Sequence, residues 1–521
     1  MRQTDRLIIN VLSNYGLTLV AGVTSLVMVP VVVSELNRGG YGLAMMLLST
    51  FTIMTTLGNA VNRAMQRYLP QDMASTETDR VNATFNSAML MYGLLGAGAA
   101  VVVLMIRGWY LDDPAIDAQL RADGNTAFLV VAGLILIEGP MLAFQAGLES
   151  IQRFDLVGAY TSAATVLRMV VVIAFFKLGH GSVLVFVVSQ VIAVMIASLL
   201  FGRSLFKAMP GLRVSLRLVR RDSLKALAVF SAAGLLVTGG NVLGLEGFRV
   251  LVGKGLGMQD VGGLSAVWTV RSMVFMIICS MTNVLTPTAS SLDARGSSES
   301  LAKLLVASTK YASVAAASTC LIPLAVAGAF LRLWLGDEFG NLQTLMLIIL
   351  ITQVPIAAST SAQQILIGLG RMRVTGPAVF LRGAGSMAVA WLYIYLSAEP
   401  TLTGAAFWLY LTQVAFSMIL FSYGGRQTKV GVWRLLIDGV ALPVVLGTAA
   451  AILTWLVASQ IGTSGWGQLA AAVGIGEVVF LGLIVAFGLG AEERAHLTSF
   501  LGRVRDRLWH RKTVVAGGNH E

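Results

Sequence analysis

The sequence has little charge for its length. Only 12% of its 521 residues are charged, whereas 56% are hydrophobic, and a soluble globular domain carries about 25% charged residues. A chain of this composition has too little polar surface to be covered by water. The composition therefore excludes a soluble globular fold and predicts that much of the protein surface faces lipid.

Motifs for ATP hydrolysis, hydrolase chemistry and metal binding are also missing. Gly253 and Lys254 are followed by Gly255, where a Walker A sequence has Ser or Thr. The four histidines show no ligand spacing, and no GxSxG or HExxH sequence occurs. The only cysteines, Cys279 and Cys320, lie in apolar stretches, where a small buried hydrophobe is the simplest interpretation. The sequence predicts neither an enzyme nor a bound cofactor or metal.

Long charge-free stretches indicate membrane-spanning helices. Residues 81–106 and 400–425 carry no charge, and each stretch can cross about 30 Å of hydrocarbon as a helix. Backbone groups in lipid must bond internally, which favours helices over open sheets. The pattern predicts an all-α polytopic membrane protein with about 14 transmembrane helices. They lie near residues 9–35, 42–66, 83–106, 126–148, 157–176, 181–202, 226–252, 262–288, 305–330, 342–366, 376–396, 402–422, 436–458 and 466–489.

Basic residues orient the predicted spans. An even number of spans places both termini on one side, and the segments on that side hold about 25 Lys and Arg, against about six on the other. These six are Arg38, Arg107, Arg121, Lys177, Lys254 and Arg332. We therefore predict a multi-pass membrane protein with both termini in the cytoplasm. Because the net charge of +11 sorts by side of the membrane, it does not indicate a nucleic-acid partner.

A weak internal repeat divides the spans into two groups. The basic segment 206–225 is the longest cytoplasmic connection, with six spans before it and eight after it. Short markers recur across it at offsets of 220 and 218 residues: Leu36 and Gly42 as Leu256 and Gly262, and Leu148, Arg153 and Gly158 as Leu366, Arg371 and Gly376. Loops six spans apart keep their orientation, so the recurrence indicates a parallel repeat about an axis along the membrane normal.

The repeat predicts five parts of the chain. They are an N-terminal lobe (1–205), a basic cytoplasmic linker (206–225), a C-terminal lobe (226–423), two additional spans (424–490) and a tail (491–521). In the tail, Leu497, Phe500, Leu501 and Val504 recur at helical spacing among arginines. This pattern is typical of a basic amphipathic helix on the anionic face of a membrane, although a solvated tail or a partner-binding segment fits as well.

Nine informative charged residues remain in apolar sequence, where a charge at a helix centre costs at least ~2.5 kcal/mol. They are Arg63, Arg168, Arg249, Arg271, Lys310, Arg382, Glu138, Glu246 and Glu477. At that cost, the side chains should face a wet cavity or a partner instead of lipid. We predict a central substrate-binding cavity whose cationic wall consists of Arg63, Arg168, Arg249, Arg271 and Arg382.

Local explanations also exist for some of these charges. Arg63 and Lys310 lie near cytoplasmic span ends, from which long side chains can reach water. Glu246 lies three residues before Arg249, so an ion pair on one helix face is an alternative to ligand contact. Glu138 precedes a Gly-Pro pair, and we regard it as a candidate for ion coupling. A neutral, hydrogen-bonded structural role for Glu138 is the simpler interpretation.

Several short motifs resemble the polysaccharide transport branch of the multidrug/oligosaccharidyl-lipid/polysaccharide exporter superfamily, the Wzx-type flippases. The motifs are Asn10, Ser13, Asn14, Pro30, Leu36, Tyr41 and Gly42 at the start, Arg63, residues 147–153, and Gly336 with Phe339. The resemblance covers the whole chain. It implies two six-helix lobes around a central cavity, followed by two additional helices.

The resemblance also implies a function. Members of this branch move undecaprenyl-pyrophosphate-linked oligosaccharides across the inner membrane by alternating access, for exopolysaccharide, capsule or O-antigen synthesis. The expected partners are the lipid-linked glycan, membrane lipids, and polysaccharide polymerase or assembly proteins. A cation-coupled multidrug exporter and a lipid II flippase of the same superfamily are alternatives, as is a membrane-bound glycosyl transferase or ligase. Basic residues outnumber acidic ones in the spans, which favours an anionic cargo.

Overall fold

The computed structural model of the chain describes residues 3–75, 78–111, 118–282, 284–490 and 493–494. Within these ranges the backbone forms helices and short turns, and no β-strand is present. The predicted all-α fold class is confirmed. The basic tail predicted beyond residue 492 falls almost entirely outside the described residues.

Five long helices precede the linker. They are α1 (Gln3–Ala74), α2 (Thr78–Leu111), α3 (Ala118–Ser150), α4 (Phe154–Lys177) and α5 (Val183–Ala208). The described residues after the linker form α6 (Arg221–Val242), α7 (Phe248–Gly255), α8 (Met258–Thr282), α9 (Leu285–Ala294), α10 (Ser298–Ala316), α11 (Ile322–Leu324), α12 (Ala327–Leu335), α13 (Gln343–Ile351), α14 (Gln353–Gly368), α15 (Met372–Leu396), α16 (Leu402–Gln427), α17 (Val432–Leu436), α18 (Leu442–Ile461) and α19 (Trp466–Leu483).

Helix α1 contains two membrane crossings joined at Asn37. Its apolar part, Gly22–Ala74, has 53 residues, which would extend ~80 Å as one straight helix. Asn37 has φ 54° and ψ −179°, and its Oδ1 accepts the N–H groups of Gly39 and Gly40 at 3.1 Å, as an N-cap side chain does. With this helix counted twice, the 13 span-length apolar helices of the described residues give the fourteen predicted spans.

Wider π-helical turns interrupt several spans after the linker. Two of them, Ala317–Leu321 and Ile437–Ala441, lie directly before the helical turns that contain Pro323 and Pro443. Proline lacks the backbone N–H and its ring clashes with the preceding turn, which opens the helix there. A third π-helical turn, Leu243–Gly247, connects α6 to α7 without a proline. Because π-helical turns occur frequently at functional sites, the residues next to this third turn are candidates for a functional site.

The predicted repeat markers have matching backbone geometry. Positive φ angles occur at both offsets, at Gln152 (57°) and Gly370 (71°) and at Asn37 (54°) and Gly257 (105°). The N–H groups of Arg153 and Arg371 each donate to the carbonyl five residues earlier at 2.9 Å, which is the long hydrogen bond of a Schellman helix end. The helices that follow, α4 and α15, both begin one residue later. This geometry supports the repeat, and the domain boundaries stay a prediction.

The two halves meet in a reciprocal glycine contact between α1 and α8. A Cβ atom at Gly42 would lie 1.9 Å from the carbonyl oxygen of Met258, and one at Gly262 would lie 2.0 Å from that of Arg38. The contact partners differ by 220 residues in both directions, as a two-fold relation between the halves requires. The Arg38 Nε donates to the Gln259 carbonyl at 2.8 Å beside this contact. Only glycine allows the two backbones to approach so closely.

Apolar packing joins the halves mainly on one side of the molecule, although Leu227 and Phe230 at the start of α6 pack against the N-terminal half. We call the side with residues 209–220 the linker side and the opposite side the far side. The largest buried cluster combines residues from 28–51 and 248–278 towards the far side. On the linker side there are two separate clusters, one mainly from α1–α5 and one from α9, α10, α14, α16 and α17. The helices therefore pack together at the far side and diverge towards the linker side.

The connection between α5 and α6 is anchored to the N-terminal half. Helix α5 continues to Ala208 and α6 begins at Arg221. Asn82 of α2 accepts from the Arg213 N–H at 2.7 Å and donates to the Gly211 carbonyl at 3.1 Å. Asn86, one turn later, donates to the Arg213 carbonyl at 2.7 Å. These bonds attach the linker to the N-terminal half.

The last two spans pack on the outside of α10. The Ser318 hydroxyl donates to the Glu477 carboxylate of α19 at 2.8 Å. Beyond the last span, Glu493 accepts from Lys310 Nζ at 2.6 Å and from the Tyr311 hydroxyl at 2.7 Å. Burial raises the pKa of Glu493, but the hydrogen bonds from Lys310, Tyr311 and the Gly490 N–H outweigh burial and lower the pKa to about 2. Lys310 therefore has a carboxylate partner.

Candidate functional site

A cavity of about 610 Å³ is lined mainly by the C-terminal half and borders the N-terminal half at Arg63. Residues of α1, α6, α8, α9, α14, α15 and α16, and of the π-helical turn after α6, line it. The lining comprises Arg63, Val237, Gly240, Asn241, Gly244, Leu245, Arg271, Phe275, Cys279, Thr286, Ile356, Thr360, Gln363, Gln364, Ile367, Arg382, Gly383 and Gln413. The volume falls within the ~300–1,000 Å³ typical of small-molecule pockets.

Three of the five predicted arginines line this cavity. Arg63 belongs to α1, Arg271 to α8 and Arg382 to α15, so both halves contribute positive charge. Arg271 is 6% exposed and its Nε has no hydrogen-bond partner. Among the described residues that line the cavity, none is an Asp or a Glu. The cavity is therefore a cationic site with unused hydrogen-bond donors.

Close helix packing places Arg382 beside Asn241. A Cβ atom at Gly383 would lie 1.8 Å from the carbonyl oxygen of Gly240, so α6 and α15 cross at backbone contact. The Arg382 Nη2 donates to the Asn241 Oδ1 at 2.9 Å, and Nη1 donates to the Ser417 hydroxyl at 3.5 Å. Because both partners are neutral, Arg382 keeps its full charge in the cavity.

Neutral polar groups complete the wall, and the sequence analysis missed them. They are the carboxamides of Asn241, Gln363, Gln364 and Gln413 and the hydroxyls of Thr286 and Thr360. Such residues are inexpensive in a membrane helix, so their presence alone does not show which way they face. Amide and hydroxyl groups both donate and accept hydrogen bonds, which suits a ligand rich in hydroxyls. The one available signal was the presence of four Gln residues in span 10.

Arg249 does not line this cavity. Its Nη1 donates to the Glu246 carboxylate at 2.7 Å and to the Ser49 hydroxyl, and its guanidinium lies 4.8 Å from the centre of the Trp268 ring. The ion pair with Glu246 is the alternative that the sequence left open. Arg249 is only 7% exposed, and its Nε has no hydrogen-bond partner.

Arg168 also lies outside the cavity lining. Its guanidinium stands over the Phe186 ring of α5, 4.6 Å from the ring centre. The Nε and Nη2 atoms are buried without hydrogen-bond partners. A cation on an aromatic face is stabilised by the ring quadrupole, which offsets part of the cost of burial. The expected cationic wall is therefore divided into two groups. The cavity group consists of Arg63, Arg271 and Arg382, and the far-side group consists of Arg168 and Arg249.

Glu138 is buried in α3, two residues before Pro140. It is 6% exposed, its Oε2 has no hydrogen-bond partner, and it does not line the cavity. The roles of Glu138 in ion coupling or in structure both stay predictions. In the described part of the chain, no cluster of His, Cys, Asp or Glu has the composition of a metal site.

Comparisons with known proteins identify relatives of the chain. A family model described as polysaccharide biosynthesis protein matches residues 7–293, more than half of the chain. The sequence has no significant match among curated proteins.

Three solved structures illustrate the shared fold. The lipid II flippase MurJ in an inward closed conformation has a TM-score of 0.71 and 10% identity, over 92% of this chain and 98% of that chain. An inward-facing multidrug resistance MATE family transporter of the MOP superfamily has a TM-score of 0.68 and 13% identity, over 80% of this chain and 98% of that chain. A MOP superfamily transporter from Pyrococcus furiosus has a TM-score of 0.60 and 13% identity, over 81% of this chain and 95% of that chain. Its binding pocket is described as having reverse polarity. These likenesses show the fold alone.

Proposed function

Because the chain belongs to the polysaccharide biosynthesis protein family, we propose that it is a flippase for an undecaprenyl-pyrophosphate-linked oligosaccharide. It moves this lipid across the bacterial inner membrane by alternating access, for exopolysaccharide, capsule or O-antigen synthesis. Its termini lie in the cytoplasm, and the linker side faces the cytoplasm. A polysaccharide polymerase or assembly protein takes over the product.

The observation that carries the proposal is the cationic cavity, whose described lining residues include no carboxylate. Arg63, Arg271 and Arg382 together offer guanidinium groups to a phosphate-type ligand, and the planar guanidinium binds phosphate oxygens in a bidentate manner. The neighbouring amides and hydroxyls suit sugar hydroxyl groups. A pyrophosphate joined to a sugar combines both chemistries. The polyprenyl chain remains in lipid, because moving this apolar chain into the polar cavity would be unfavourable.

The arrangement of the halves supports loading from the cytoplasm. Apart from the start of α6, the two halves form separate apolar clusters on the linker side, whereas they share one cluster on the far side. Arg63 and Gln364 lie towards the linker ends of their helices. A headgroup from the cytoplasmic leaflet therefore has the shorter path into the cavity. Release requires the reciprocal contact of Gly42 and Gly262 to separate.

The cavity chemistry also separates the alternatives. An exporter of cationic drugs needs negative charge at its binding site, and the described cavity residues supply only positive charge. A lipid II flippase carries a cargo of the same pyrophosphate chemistry, so the cavity fits it as well. The family match favours polysaccharide synthesis over lipid II transport.

A deletion strain and two arginine variants test the proposal. The deletion should abolish surface or secreted polysaccharide without loss of viability, whereas loss of viability through arrested peptidoglycan synthesis would indicate lipid II transport. Arg271→Ala should impair complementation more than Arg271→Lys, because lysine keeps the charge and loses only the bidentate fork. Normal polysaccharide in the deletion, combined with sensitivity to cationic drugs, would refute the proposal.

A further inference from the structure

The far-side group contains more positive than negative charge. Arg249 pairs with Glu246 at 2.7 Å, whereas Arg168 lies over the Phe186 ring. Among the described residues, Glu246 is the one carboxylate in contact with either arginine. The Nε of Arg249 is buried without a hydrogen-bond partner. The ion pair with Glu246 therefore leaves one buried donor of Arg249 unused.

A hydrogen-bonded aromatic pair connects this group to the cavity. The Trp268 Nε1–H donates to the Tyr410 hydroxyl at 2.9 Å, and both residues are at most 4% exposed. Arg271, on the cavity side, lies 5.9 Å from the centre of the Tyr410 ring. Arg249, on the far side, lies 4.8 Å from the centre of the Trp268 ring. The next positive charge beyond the cavity is thus separated from it by one aromatic pair.

The backbone also connects the two groups. The π-helical turn Leu243–Gly247 places Gly244 and Leu245 in the cavity wall and carries Glu246 next to them. Arg249 follows in the first turn of α7. A displacement of this turn by a ligand in the cavity would therefore move the carboxylate that neutralises Arg249.

We propose that Arg249 is a second anion-binding site for phosphate groups on the far side of the aromatic pair. Glu246 occupies this site while the cavity is open to the linker side, and the phosphate groups of the transported lipid replace Glu246 during passage. This inference rests on the proposed function. It converts one binding cavity into a path with two successive cationic sites, and Glu246 is the internal anion that keeps the second site from binding too early.

The test measures binding of inorganic pyrophosphate to the purified full-length protein by isothermal titration calorimetry. The wild type should bind at the cavity, and Arg271→Ala should weaken that binding. Glu246→Gln should add a second binding event or tighten overall binding at least tenfold, because it removes the competing carboxylate. The added binding should persist in Glu246→Gln with Arg271→Ala and should disappear in Glu246→Gln with Arg249→Gln.

Glu477→Gln is the matched control. It removes one negative charge from the membrane region, but its carboxylate bonds Ser318 on the outside of the C-terminal half, so pyrophosphate binding should stay unchanged. Glu246→Asp, whose shorter side chain reaches Arg249 less well, should show a smaller change in the same direction as Glu246→Gln. If the binding of both Glu246 variants stays within twofold of the wild type, or if Glu477→Gln has an equal effect, the second site does not exist.

The outcome is separable from that of the proposed function. A deletion strain with normal polysaccharide would refute the glycan cargo, and the calorimetry would still report whether a second anion site is present. Conversely, lost polysaccharide in the deletion with unchanged binding in both Glu246 variants would keep the flippase and remove the second site.

Discussion

A methyl group at either of the two contact glycines should shift the protein towards its far-side-open state. In Gly42→Ala the new Cβ would lie 1.9 Å from the Met258 carbonyl oxygen, and in Gly262→Ala it would lie 2.0 Å from that of Arg38. Both obstacles are backbone atoms, which cannot turn away as a side chain can. Overpacking of this kind costs ~1–3 kcal/mol. Because the cost falls only on the state in which the halves touch, the equilibrium should shift about 5- to 150-fold.

The native thiol of Cys279 provides the assay. Cys279 lines the cavity, whereas Cys320 is fully buried in α10's π-helical turn and should not react. A membrane-impermeant maleimide should label wild-type Cys279 from the linker side. In both glycine variants, labelling from the linker side should fall and labelling from the far side should rise. Vesicles of the two orientations allow each side to be measured separately.

Gly133→Ala is the control, because no atom lies within 4 Å of a Cβ at that position. It should label like the wild type. The reciprocal geometry also requires that Gly42→Ala and Gly262→Ala have similar effects. Wild-type labelling in both variants, with normal folding, would show that this contact does not hold the far side closed.

Three further results are expected. Asn241→Asp should weaken pyrophosphate binding by at least tenfold, since it places a carboxylate 2.9 Å from the Arg382 Nη2, whereas Asn241→Ala should have a smaller effect; equal effects would argue against an electrostatic role. Glu493→Gln should lower the unfolding temperature at pH 7, because a folded-state pKa of about 2 lies below the unfolded value of ~4.3. This stabilisation is present above the unfolded value and is lost as the pH falls towards 2, so the difference from the wild type should shrink between pH 4.5 and 3, and a constant difference would contradict the assignment. Asn82→Ala removes two hydrogen bonds to the linker, worth ~1 kcal/mol each, and should therefore speed proteolysis within residues 209–220. An unchanged rate of proteolysis would mean that other contacts hold the linker.

The elements that the sequence predicted well are those decided by local chemistry. Charge-free length determines where a helix can cross lipid, so the number of spans and their order could be derived. The markers Gly42 and Gly262 were also recognisable, because their repeated spacing reflects a backbone position that only glycine fits. Asn37 was not recognised, although Asn adopts positive φ angles more readily than most non-glycine residues.

Side-chain direction inside the membrane was harder to derive. A π-helical turn adds one residue to a helical turn and rotates everything after it, and no hydrophobic pattern reveals such a turn in a helix that is apolar on all sides. The turn at Leu243–Gly247 therefore decided that Arg249 faces Glu246 and Trp268 instead of the cavity. The neutral amides of the cavity were missed for a related reason, since their cost in lipid is too small to indicate a direction.

The division of the arginines follows from the cost of moving an anion through a low-dielectric region. A single strongly cationic cavity would bind a pyrophosphate tightly and would therefore release it slowly. Tight binding of the cargo by itself does not lower the barrier to its movement. A second site with its own carboxylate avoids this difficulty. In the proposed path, the cavity arginines bind phosphate more favourably while Glu246 is paired with Arg249, and Arg249 binds it more favourably once Glu246 has left. In this protein, the small charge content is therefore concentrated in a few positions whose pairing changes along the proposed path.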